Sequence, residues 1–108
     1  MQKRTIIKKI KSIISEWGAF GFEEIESAMG SVYSPCVSSM GNLVALAEHF
    51  NLNEVKVNVY DPNSFSSDPI DDYTITYEEL SKDVLEEILY IAEAYDVDQY
   101  KTLKRISN

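Results

Sequence analysis

Apolar residues between positions 77 and 95 recur at the spacing of one face of an α-helix. At about 100° per residue they cover an arc of roughly 160°, which is wider than an ordinary surface stripe. The apolar residues of this face are Val84, Leu85, Ile88, Leu89, Ile91, Ala92 and Tyr95. Ser81 has the hydroxyl that an N-cap needs. We predict a helix over residues 81–95 that packs broadly on a core, with a kink or break near Asp96–Asp98, where polar residues interrupt the face.

The side of this helix that faces away from the apolar arc carries carboxylates and one aromatic residue. Its members are Asp83, Glu86, Glu87, Tyr90 and Glu93. Tyr90 is expected to be exposed among these acids, and aromatic residues are enriched in protein interfaces. The five residues are therefore the candidate binding site. The alternative is an ordinary solvated helix face.

Residues 2–17 show the same helical spacing, with a basic outer side instead of an acidic one. The apolar positions are Ile6, Ile7, Ile10, Ile13, Ile14 and Trp17. Arg4, Lys8 and Lys11 lie opposite them, and Gly18 is suited to end the helix. A basic amphipathic helix can lie on an anionic membrane or in the groove of a partner. Six large apolar side chains need burial, however, and this favours packing on the protein's own sheet.

Alternation with a period of two appears in the middle of the chain. Val55, Val57 and Val59 alternate with polar residues, and residues 72–77 show the same pattern, which predicts an antiparallel hairpin of 55–60 with 72–77. The turn-rich sequence DPNSFSSDPIDD joins the two segments.

The segments before this hairpin give weaker patterns. Residues 43–50 fit either a helix or a strand, and we favour a third strand over 43–49 that turns through Asn51–Glu54. Residues 19–42 are rich in glycine and serine and are predicted to be largely loop, with room for short strands around Phe20 and Val32. These elements together predict one α+β domain over residues 1–108. Its antiparallel sheet has three or four strands and is packed by helices 2–17 and 81–95.

The charge of −8 is distributed unevenly along the 108 residues. Residues 1–17 hold five basic side chains and one acid, residues 18–100 hold 17 acids and two lysines, and residues 101–108 hold three basic side chains. The acidic middle would repel phosphate, so we do not expect sequence-specific binding to nucleic acid. No apolar run approaches the roughly 18 residues of a membrane span. The single cysteine excludes an internal disulfide, and the expected compartment is the cytoplasm.

Candidate catalytic and metal-binding residues are few. Cys36 and His49 form the one conceivable pair of nucleophile and base, and Cys36 matches no local signature of a cysteine enzyme. The loop that begins at Asp61 and Asn63 starts like a calcium loop but has Ser66 where that loop requires glycine. Phosphate-binding and dinucleotide-binding fingerprints are absent from the sequence. We therefore predict no cofactor, no metal and no catalytic residue.

The segments YEELSKDVLEEIL (77–89) and KTLKR (101–105), together with Pro-Cys-Val at 35–37, resemble small, acidic, uncharacterised proteins of Bacteroidales-type bacteria. The resemblance covers most of residues 35–105. It implies a bacterial, intracellular setting, and it implies no activity and no site.

These observations favour a small cytoplasmic, non-enzymatic binding or regulatory module that acts through protein–protein contacts. Homo-oligomers are compatible with the sequence. Two alternatives stay open: an acidic mimic of nucleic acid that binds a basic partner, and a cysteine-dependent enzyme that uses Cys36 and His49.

Overall fold

The structure is a computed structural model that describes residues 1–18, 20–21 and 34–94. The described residues form two helices and five strands in the order α1, β1 to β5, α2, with a 3₁₀ turn before α2. Their bounds are α1 Lys3–Trp17, β1 Phe20–Gly21, β2 Cys36–Met40, β3 Leu43–Phe50, β4 Glu54–Tyr60, β5 Asp71–Thr76, the 3₁₀ turn Tyr77–Glu79 and α2 Lys82–Ala94.

Within the described part of the chain all strand pairs are antiparallel, and β3 and β4 lie in the interior of the sheet. On one side of β3 runs β4, which in turn pairs with β5. The other side of β3 is shared by β1, where Gly21 lies opposite His49, and by β2, where Met40 lies opposite Leu43. Because these two short strands occupy successive parts of one edge, the sheet is four strands wide. The predicted α+β fold with an antiparallel sheet and two terminal helices is confirmed.

The core lies between the sheet and the two helices. The sheet contributes Ala45, Ala47, Phe50, Val55 and Val57; α1 contributes Ile6, Ile7, Ile10 and Ile14; α2 contributes Val84, Leu85, Ile88, Leu89, Ile91 and Ala92. Tyr77 and Leu80, which connect β5 to α2, are buried in the same cluster. Burial of one face of each helix is what the apolar spacing predicted, so the opposite faces of α1 and α2 remain on the surface.

The predicted strands formed, with one addition. The predicted hairpin is formed by β4 and β5, in which Val57 lies opposite Tyr73. Its second strand is shifted by one residue from the predicted 72–77, because Tyr77 begins the 3₁₀ turn. The favoured strand at 43–49 is β3. The loop prediction is wrong for residues 36–40, which form β2. Ladder bonds to β3, and the 2.9 Å hydrogen bond from the Ala47 N–H to the Pro35 carbonyl, override the low strand propensity of this segment.

The ends of the helices have the predicted caps. The N–H of Gly18, which has φ +84°, donates to the Ile14 carbonyl at 2.7 Å, and the Ser81 hydroxyl accepts a hydrogen bond from the Val84 N–H at 3.3 Å. The predicted break near Asp96–Asp98, the basic tail and the proposed strand at Val32 lie outside the described residues.

Carboxylates cover part of the outer edge of β5. The Asp72 N–H donates to the Asp71 carboxylate at 2.8 Å, and the Thr76 N–H donates to the Glu79 carboxylate at 3.0 Å. The second bond belongs to a capping box at the 3₁₀ turn. Since strand addition needs free backbone groups, this edge is a poor template for an incoming strand.

Candidate functional site

The five predicted binding residues lie together on the outer side of α2, and we call this surface the acidic face. It consists of Asp83, Glu86, Glu87, Tyr90 and Glu93. Tyr90 is 72% exposed, which is far more than a tyrosine needs for its hydroxyl to reach water. The apolar arc of the same helix is buried in the core and fixes the rotation of the helix about its axis. The acidic face is therefore held outward by the packing behind it.

Two grooves border Tyr90. A groove of about 630 Å³ is lined, among the described residues, by Asp83, Glu86, Glu87 and Tyr90. A smaller groove of about 200 Å³ runs where α1 meets α2 and has both apolar and acidic walls. Its described lining is Met1, Ile6, Glu86, Leu89, Tyr90 and Glu93. The larger groove lies on the acidic face, and Glu86 and Tyr90 line both grooves, so the tyrosine is placed between them.

Most of the negative charge on the acidic face is not neutralised by ion pairs in the described part of the chain. Lys82 Nζ lies 3.9 Å from Glu86 Oε1 within α2, and both side chains are about half exposed. Exposed pairs of this spacing contribute only about 0.3–0.5 kcal/mol. Because Asp83, Glu87 and Glu93 have no ion pair among the described residues, the face keeps a negative potential that can attract a basic molecule.

The structure separates Cys36 from His49. Cys36 is exposed and lies opposite Leu46, and its Sγ donates to the Ser38 carbonyl at 3.5 Å. His49 lies three residues farther along β3, which corresponds to about 10 Å along a strand. Its imidazole lies beside Gly21, where an added Cβ would come within 2.8 Å of Cε1. The two residues therefore do not form a nucleophile and base in this arrangement.

Asp61, at the start of the loop after β4, stabilises a turn. The Asn63 N–H donates to the Asp61 carboxylate at 3.0 Å, and the Ser64 N–H donates to the Asp61 carbonyl at 3.0 Å. Serine hydroxyls accept similar bonds from Ser66 and Asp68. Across residues 1–18, 20–21 and 34–94, no group of three His, Cys, Asp or Glu side chains is arranged to hold a metal ion.

Exposed apolar residues lie at the same end of the sheet as this loop, a feature that the sequence analysis missed. Phe65 is fully exposed, Met40 is 82% exposed and Ile70 is 54% exposed. Pairing of Met40 with Leu43, and a hydrogen bond from the Ile70 N–H to the Val59 carbonyl, place the β2–β3 turn and the loop at one sheet end. No periodicity marks residues in turns, so only composition could have indicated this cluster.

No protein-family model, no curated protein and no solved structure matches the chain. Within the described residues, no helix is long and apolar enough to cross a membrane.

A second feature outside the predicted site is the pair of Tyr60 and Glu48. Burial, followed by the neighbouring Glu48 carboxylate, raises the pKa of Tyr60 from 10.0 to about 12. A raised tyrosine pKa favours the neutral phenol in the folded state. The resulting stabilisation is fully present below pH 10 and is lost as the pH rises through about 12.

We therefore expect the absorbance difference between the unchanged protein and Tyr60→Phe at 295 nm to titrate near pH 12. Circular dichroism over the same range checks that both proteins stay folded. A difference titration centred near pH 10, the ordinary value for tyrosine, would contradict the burial of this hydroxyl beside Glu48.

Proposed function

We propose that the protein is a non-enzymatic binding module whose acidic face engages a basic segment of a protein partner. The observation that carries the proposal is Tyr90, which is 72% exposed among four carboxylates and borders two grooves. Nothing in the packing of α2 requires an aromatic side chain at this position. A surface tyrosine beside a groove is the kind of residue that supplies binding energy in interfaces.

Charge and aromatic surface have separate roles in this proposal. The carboxylates of Asp83, Glu87 and Glu93 attract a basic segment and orient it as it approaches, an effect that weakens with salt. Tyr90 then supplies a rigid, amphipathic contact surface with only two rotatable side-chain bonds. A basic segment with an apolar side chain between its charges would satisfy both features.

The separation of Cys36 from His49 weighs against the alternative of a cysteine-dependent enzyme that uses this pair. The setting that we propose is the cytoplasm of a bacterium. The single cysteine and the resemblance noted above support it.

The test compares two variants of the acidic face with a control of the same charge change. Tyr90→Ala and the double variant Glu86→Lys/Glu93→Lys are expected to lose most of the basic partner that the tagged protein recovers from its native cells. Melting temperatures should change by no more than about 2–4 °C, because surface substitutions cost little. The control is Glu54→Lys/Asp68→Lys, which changes two exposed acids on the sheet side of the molecule.

If all three variants recovered as much of the basic partner as the unchanged protein does, the acidic face would not be the binding surface. A large loss of stability from Tyr90→Ala would show that the tyrosine has a structural role instead.

A further inference from the structure

The helix layer carries opposite charges on its two neighbouring helices. Helix α1 has five basic residues and one acid, a net charge of +4, and α2 has one lysine and four acids, a net charge of −3. Arg4, Lys8 and Lys9 are exposed on α1, just as most of the acidic face is exposed on α2. One surface of the molecule is therefore basic along one helix and acidic along the next.

These opposite charges are not paired with each other inside the described chain. The ion pairs of this part of the molecule are Lys11 with Glu78 and Lys82 with Glu86, and neither joins α1 to α2. Lys11 and Lys3 instead turn toward the 3₁₀ turn, where the Lys3 ammonium donates to the Glu78 carbonyl at 3.0 Å. The exposed charges of both helices thus remain available to another molecule.

The boundary between the two helices also has apolar surface. The exposed apolar lining of the groove of about 200 Å³ at this boundary comes from Met1, which is 59% exposed, and Tyr90, which is 72% exposed; Ile6 and Leu89 lie buried beneath them. Glu86 and Glu93 are among its acidic residues. A contact centred here would cover apolar atoms as well as join charges. This combination is what stable interfaces require, since exposed ion pairs alone contribute little.

We propose that a second copy of this chain occupies the acidic face, in a two-fold dimer that sets α1 of each copy against α2 of the other. The inference rests on the proposed function, because it names the partner of the same face. A two-fold axis along the boundary between the helices brings each basic helix over an acidic one, so every favourable contact is made twice. An axis across the helices would oppose α1 to α1 and α2 to α2, and like charges disfavour that arrangement.

The test uses charge reversals that disrupt the dimer separately and restore it together. One variant is Arg4→Glu/Lys8→Glu/Lys9→Glu, whose three reversals change the net charge of α1 from +4 to −2 and make both helices acidic. The other is Glu86→Lys/Glu93→Lys, whose two reversals change the net charge of α2 from −3 to +1 and make both helices basic. We expect the unchanged protein to show a concentration-dependent dimer of about twice 12.3 kDa in sedimentation equilibrium, weakened by added salt. Each variant alone should have a dissociation constant raised by about tenfold or more.

An equimolar mixture of the two variants should recover the dimer, because each of its two contacts again joins an acidic helix to a basic one. A chain that carries all five reversals should also recover it, because α1 is then acidic and α2 basic, and this recovery excludes misfolding as the cause of the loss. The control Glu54→Lys/Asp68→Lys should leave the dissociation constant unchanged.

A monomer at every concentration and salt level would overturn the inference, and so would a dimer that neither variant weakens or a mixture that does not recover it. If a different basic protein is captured through the acidic face while this chain stays monomeric, the proposed function stands and the dimer does not. If the chain neither self-associates nor captures another protein through the acidic face, both the proposed function and the dimer are refuted.

Discussion

Replacing Tyr77 by alanine is expected to remove about 3–5 kcal/mol from the free energy of unfolding, by analogy with other large aromatic residues deleted from cores. Tyr77 is 0% exposed and is among the largest fully buried side chains of the described core. Its hydroxyl donates to the Asn51 carbonyl at 2.7 Å, so it joins the turn before α2 to the turn between β3 and β4. The substitution leaves a cavity and removes the partner of that carbonyl.

The matched variant is Tyr77→Phe, which keeps the ring and loses only the hydroxyl. It should cost about 1 kcal/mol, the usual contribution of one hydrogen bond. Lys11, whose Nζ lies 6.0 Å from the centre of the ring, should keep its cation–π contact in this variant. Urea unfolding of the unchanged protein and the two variants measures the loss of stability from removing the hydroxyl and the further loss from removing the ring. If alanine and phenylalanine cost the same, the ring would not be a core element.

Ile10→Ala is the second change with a large expected effect, a loss of about 2–5 kcal/mol. Ile10 is 0% exposed in α1. Isoleucine is a weaker helix former than alanine, so a helix held by local propensity would gain stability from this change. A helix held by packing loses it, because the deleted atoms leave a cavity in the core.

Two control substitutions on the same helix show whether the stability change from Ile10→Ala reflects burial. Ile13 is only partly buried, and Ile13→Ala should cost less than Ile10→Ala. Lys8 is exposed, and Lys8→Ala should stay within about 0.5 kcal/mol of the unchanged protein. If Ile10→Ala did not destabilise the protein in urea unfolding, α1 would not be packed as described.

The sequence predicted the elements that have a buried side and an exposed side. Helix α2 and the strand β4 show a clear period because one of their faces meets the core. Strand β5 alternates in residue type although five of its six residues are exposed, and of its side chains Ile75 is the one that packs against the core. Strand β2 shows none, since four of its five residues are exposed and it owes its form to backbone bonds with β3. When a neighbouring strand imposes the strand conformation on a segment, the segment's own sequence shows little of the alternation that predicts a strand.

The candidate site was predictable for the same reason, but only in part. Helical geometry alone places Glu86, Tyr90 and Glu93 on one side, away from the buried arc. The groove between α1 and α2 depends on how Ile6 and Leu89 come together across more than 80 residues of sequence, and no local pattern contains that distance. The hydrogen bond from Tyr77 to Asn51 is missed for the same reason.

Site-specific cross-linking at position 90 tests the claim that the acidic face is a binding surface. A photoreactive phenylalanine analogue replaces Tyr90 in one protein and Phe65, another exposed aromatic residue, in the control. We predict a cross-linked protein product from position 90 in native cells that is lost when Glu86→Lys/Glu93→Lys is added. Cross-linking from position 65 alone, or a product from position 90 that survives the charge reversal, would contradict the claim.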